Sequence, residues 1–146
     1  MEEKINHTTE LLDKAYENVR MGSFAVDCIM EKIENPELAE LLRKQNKFYL
    51  DAVTALENLA REIGHEPKDV NVMAKGMSFM SIKMKTLMNN DSPKLAEMLI
   101  QGTTMGITDS MKAKTDHPTT NEDLINIVDR IVQHEEEFVD SLKTFL

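Results

Sequence analysis

From residue 5 to residue 33, Ile5, Thr8, Leu12, Ala15, Val19, Gly22, Val26, Ile29 and Ile33 follow one another at steps alternating between three and four. That spacing is the period of one helix face, and sustained over this length it is the seam of a helix packed in a bundle. The same rhythm returns further on. Leu38, Leu41, Gln45, Phe48, Ala52, Ala55 and Leu59, flanked by Leu42 and Leu56, mark a second helix over Pro36 to Ile63. Val70, Met73, Met77, Met80, Met84 and Leu87 mark a third over Asp69 to Met88. Leu95, Leu99, Gly102, Met105, Asp109 and then Lys112 or Ala113 mark a fourth. Leu124, Ile127, Ile131, His134, Phe138, Ser141 and Phe145 mark a fifth, starting at Thr120 or Asn121.

Four breaks separate these segments: "ENPE" at 34–37, "GHEPKD" at 64–69, "NNDSP" at 89–93 and "TDHPTTN" at 115–121. Each joins Pro or Gly to Asx, Ser or Thr, the chemistry that stops one helix and caps the next. Gly64 is placed to close the second helix in the left-handed conformation. Ser92 is placed as an N-cap ahead of Pro93 at the first helical position. Helices of nearly thirty residues are about 40 Å long, and short turns make them antiparallel neighbours. The first two segments therefore form one hairpin and the last two another. The methionine segment connects them as an amphipathic crossover helix. With 146 residues the chain has room for one domain with a real core, so residues 1–146 are expected to form a single bundle.

Composition agrees with an all-α fold and removes several function classes. Leu, Met, Ala, Glu and Lys dominate, while tryptophan is absent. The formal net charge is −9, with Lys and Arg scattered among Asp and Glu, so no basic face exists to hold nucleic acid. No segment has the apolar run of a membrane span. The N-terminal "MEEKINHTTE" has no apolar signal core. One cysteine, Cys28, can form neither an intrachain disulfide nor a cysteine-rich zinc site. A cytoplasmic protein is expected.

The stretch "ENPELAELLRKQNKFYLDAVTALENLAREIGHEPKD" and the glycine-marked "LIQGTTMG" resemble an uncharacterised bacterial branch of rubrerythrin-related proteins within the ferritin-like superfamily. The resemblance covers about residues 12 to 145. It implies an up-down four-helix bundle with a crossover, and a di-iron site. That site takes one Glu from each of two helices and a Glu-x-x-His pair from each of the other two. This sequence departs from the pattern throughout. Gln45 and Phe48 stand where one Glu-x-x-His pair belongs; Gly22, Ser23 and Val26 fill the first helix, and Gly102, Thr103 and Met105 the fourth. The last helix keeps His134, with Glu135 beside it and Glu137 a turn on, in reversed order. No catalytic, cofactor or metal-binding residue is carried over, and no cofactor is expected.

The remaining candidates have simpler readings. The methionine stripe could offer soft thioether ligands to Cu(I), but Val70 and Leu87 share it, as core packing requires. Val72, Phe79 and Ile82 make a second apolar side of that helix, which fits a homodimer face. His134 between Ile131 and Phe138 reads as a hydrogen-bonded core group, with Gln45, Gln101 or Thr103 as partner. If so, His134→Leu is expected to keep or raise the melting temperature. The run Glu135, Glu136 and Glu137 reads as a solvated face. Cys28 reads as structural, and His7, His65 and His117 share no site spacing. Asp109 on the seam is expected to be wetted or paired with a lysine.

Three functional readings follow. The first is a non-catalytic structural or interaction module, homo-oligomeric, which predicts a filled core. The second is a metal or redox protein with an atypical centre at His134, which predicts three or more converging ligands. The third is a small-molecule carrier using space among Gly22, Gly102 and Gly106, which predicts an apolar void at mid-bundle.

Overall fold

A computed structural model describes residues 6–68 and 91–146. Among them are four helices and no strand: α1 (His7–Met30), α2 (Pro36–Glu62), α3 (Ser92–Asp116) and α4 (Glu122–Lys143). The methionine helix, the Val72, Phe79 and Ile82 face and Ile5 lie outside the described residues.

All four helices begin on an Asx cap. Asn6, Asn35, Asp91 and Asn121 each accept a hydrogen bond from a backbone N–H of the first turn, satisfying a donor that has no intrahelical partner. At α3 the cap is Asp91 rather than Ser92, so Ser92 and Pro93 both lie inside the first turn. Gly64 ends α2 at φ +70°, where a side chain would be strained. His65 N–H donates to Ala60 C=O and Gly64 N–H to Arg61 C=O, the paired bonds of a Schellman motif.

Contacts between helix ends give the topology. The start of α1 meets the end of α3 through His7 Nδ1 and His117 Nδ1 at 3.2 Å, and through the Thr8 and Thr119 hydroxyls at 2.6 Å. His65 Nε2 bonds Asp13 Oδ1 at 2.9 Å, tying the end of α2 to the same end of α1. Thus α1 is antiparallel to both α2 and α3, and α2 and α3 run in the same direction. The last turn of α2 and the first turn of α3 therefore lie at opposite ends of the bundle. Helix α4 returns antiparallel to α3 and lies beside α2.

The core is a continuous column of Leu, Ile, Val and Ala from all four helices, with Leu12, Leu38, Leu42, Leu56, Leu124 and Leu142 fully buried. Its faces differ from the sequence reading in α2, α3 and α4. In α2 the buried line is Leu38, Leu42, Gln45, Tyr49, Ala52 and Leu56, so Tyr49 is the inward aromatic and Phe48 only half-buried. In α3 the line runs through Leu95, Leu99, Thr103, Ser110 and Ala113, while Gly102 and Asp109 are exposed and Met105 is 60% exposed. In α4 it runs through Leu124, Val128, Ile131, Glu135, Phe138 and Leu142; His134 is half-buried and Ser141 exposed. Tyr49 and Glu135 hold inward places because partners on other helices satisfy them, so hydrophobicity alone picked the neighbouring position.

Candidate functional site

Halfway along the bundle the core turns polar. Ser23, Gln45, Thr103, Ser110 and Glu135 are all buried there. Glu135 is 1% exposed, which overturns its place on a solvated face. Its solvation is replaced by two donors: Asn18 Nδ2 gives a hydrogen bond to Oε1 at 2.9 Å, and the Tyr49 hydroxyl gives one to Oε2 at 2.8 Å. Asn18 Nδ2 also donates to Ser110 Oγ at 3.1 Å, so α1, α2, α3 and α4 all meet in one network.

The environment sets the protonation of this network. Burial pushes the Glu135 carboxyl up to about 7, while the bonds from Asn18 and Tyr49 act the other way. Burial, and then the nearby Glu135 charge, hold the Tyr49 phenol well above its usual value. The shared proton therefore stays on tyrosine, and Tyr49 is the donor.

Beside this network lies a second pair. His134 Nδ1 and Gln45 Oε1 are 3.1 Å apart, which puts the proton on Nδ1. Phe48 stacks flat on the imidazole, with centroids 3.7 Å apart and planes within 5°. Burial lowers the histidine's pKa from its ordinary value. Gln45 is 2% exposed; its Nε2 has no partner within hydrogen-bond distance among the described residues, though its side chain lies close enough to the Tyr49 phenol to act against that group's raised pKa.

Two glycines explain how the helices approach here. A Cβ on Gly22 would stand 2.5 to 2.9 Å from three carbons of the Tyr49 ring, so only glycine lets the ring lie against α1. A Cβ on Gly106 would collide with Asn18 Oδ1 and stand 3.4 Å from Glu135 Oε2. At Gly102 a Cβ would meet nothing within 4 Å.

The open space at Gly102 belongs to a cavity of about 630 Å³ between α1 and α3. It runs from Ile29 and Met98 at one end to Lys14 and His117 at the other. Met21, Ala25, Val26, Leu99 and Met105 supply apolar walls, and Tyr49 and Glu135 form the floor. Ligand pockets commonly have about this size, are largely apolar and carry a few convergent polar groups. All three glycines named from the sequence line it.

Protein-family models, curated proteins and solved structures offer no match to this chain.

The residues present do not fit the di-iron set. Among the described residues the mid-bundle inward positions hold one carboxylate, Glu135, among an amide, a phenol and hydroxyls. Among the described residues no three His, Cys, Asp or Glu side chains converge on a point. His134 faces Gln45 and Phe48 rather than a second ligand. The structure does pair His7 with His117 across the base of α1 and α3, a meeting that sequence spacing could not show. Asp109, Lys112 and Asp116 sit at the cavity rim, and Cys28 packs half-buried against the core.

Proposed function

We propose that this protein is a non-catalytic helical bundle that holds a small, mainly apolar molecule in the groove between α1 and α3. The observation that carries this reading is the cavity itself: an apolar trough of ligand size whose floor is a buried, hydrogen-bonded carboxylate. A buried carboxyl is costly, and a bundle built only for packing has no use for one beside an open space. The ferritin-like assignment, with residues 69–88 as the crossover helix, is part of the proposal. It is supported by the quoted sequence resemblance and by α2 and α3 running parallel, which requires a long connection between the hairpins. The apolar face at Val72, Phe79 and Ile82 supports a homodimer in the same account. Sedimentation equilibrium at about 20 μM, a range in which weak self-association registers, gives twice the chain mass if that face pairs, and the chain mass if it does not.

The binding reading is tested by titrating 4-phenylbutan-1-ol into the protein and into a Gly102→Leu variant. A Cβ at Gly102 meets nothing within 4 Å and leucine improves local helix propensity, so the variant is expected to stay folded. Binding to the parent and a loss of about tenfold or more in Gly102→Leu is the expected result, since filling the trough removes the apolar contact area. Equal affinity in both proteins, or none in either, overturns it.

A further inference from the structure

The floor of the cavity presents an uneven set of hydrogen-bonding groups. Both hydrogens of Asn18 Nδ2 are used, one on Glu135 Oε1 and one on Ser110 Oγ. The Tyr49 hydroxyl proton is used on Glu135 Oε2. The amide orientation of Asn18 is fixed, because turning it over would set its oxygen against the carboxylate. What Asn18 and Glu135 leave toward the cavity are therefore acceptors. Asn18 Oδ1 accepts no hydrogen bond from any described residue, and Glu135 Oε2 keeps a second lone pair. Asn18 and Glu135 both line the cavity, where Asn18 packs close against Gly106.

We infer that Asn18 Oδ1 and Glu135 Oε2 form a recognition site for the protonated amine of a ligand whose apolar body lies along the trough. This rests on the binding reading above and gives it a ligand class: primary amines carrying an aryl or alkyl chain. A carboxylate or phosphate ligand would face two acceptors and a negative charge, and a neutral alcohol could supply one hydrogen where an ammonium supplies three. Gly102 leaves room for the chain. Tyr49 and Asn18 are positioning residues that hold the carboxylate.

The test compares three ligands of equal length, 4-phenylbutylamine, 4-phenylbutan-1-ol and 4-phenylbutanoate, by isothermal titration at pH 8. The amine is expected to bind about tenfold or more tighter than the alcohol, the size of one charge-assisted hydrogen bond, and the carboxylate weakest of the three. Glu135→Gln, which keeps the side-chain shape, should bring amine affinity down to that of the alcohol measured in the same variant. An amine no tighter than the alcohol in the unmodified protein overturns the inference, whether or not the variant folds. So does a preference that survives in Glu135→Gln. Alcohol binding without amine preference leaves the cavity reading standing and removes this one, whereas no binding by any of the three removes both.

Discussion

Glu135 is the residue on which most of the chemistry turns, and its burial has a measurable cost. With its carboxyl raised from 4.5 to about 7 in the folded protein, the native state holds a proton that the unfolded chain has already lost. Below about pH 4.5 both states are protonated and the group does not weaken the fold. As pH rises toward 7 the unfolded chain ionises first, and stability drains away by ~3 kcal/mol before levelling off. His134, whose pKa is lowered, acts with the opposite slope, so the comparison must be made against a matched variant. The stability of Glu135→Gln relative to the parent is therefore expected to grow by roughly that amount between pH 4.5 and pH 8, read by urea unfolding at each pH. A difference that does not change with pH would place an ordinary, solvated carboxylate at this position.

At the same scale, the Gln45 and His134 pair reverses the expectation that His134→Leu is harmless. Among the described residues Gln45 Nε2 has no partner within hydrogen-bond distance, and losing the imidazole would take away the partner of Oε1 as well. His134→Leu should cost about 1–3 kcal/mol, the penalty of an orphaned buried polar group. Adding Gln45→Leu should recover most of it, because removing both partners leaves no such group. Thermal unfolding of the two single variants and the double variant reads the pattern. Additive losses would show that the two side chains do not depend on each other.

Among the elements, the legible and illegible parts of the sequence separate for a physical reason. The helices and their limits could be read because Asx caps, Pro at helix starts and Gly64 act locally, within a turn of the backbone they control. The inward faces could be read wherever aliphatic residues held them, as at Leu12, Val19, Val26, Leu38, Leu99 and Ile131. Reading failed by one residue at Tyr49 against Phe48, Thr103 against Gly102, and Glu135 against His134. A single step along a helix turns the face by about 100°, and at Tyr49 and Glu135 the miss exchanged a partnered polar residue for a neighbour with a stronger apolar or ligand signal. The partners that made the polar choices stable come from other helices: Asn18 on α1 for Glu135, and Glu135 on α4 for Tyr49. No spacing within one segment could show them. Gly22 was placed on the seam correctly, and its reason became clear only with the Tyr49 ring against it. Gly22→Ala is accordingly expected to destabilise by about 1–3 kcal/mol through overpacking, despite the gain in helix propensity. A denaturant midpoint equal to or above the parent's would mean the ring can move aside freely.

For the molecule as a whole, the bundle separates two jobs. One end is closed by bonds between helices: His7 with His117, Thr8 with Thr119, and His65 with Asp13. In the middle, Gly22 and Gly106 let Tyr49 and Asn18 pack close, Gly102 leaves open space, and a polar network floors a trough where a packed bundle would have side chains. The sequence carried this trough as Gly22, Gly102 and Gly106, which all line it, and its acidic floor was hidden in a run of glutamates that looked uniformly solvated. The most direct check places a reporter in the trough itself. A Cys28→Ser, Gly102→Cys variant carries a single thiol at the cavity wall, and its rate of reaction with a small maleimide can be followed as 4-phenylbutan-1-ol is added. Fast labelling of the free protein, slowed in proportion to the ligand bound, is the result that a ligand-holding trough predicts. A thiol that is already protected in the free protein would show the trough filled by the chain itself, and a rate that the ligand leaves unchanged would show that nothing binds there; either contradicts the account.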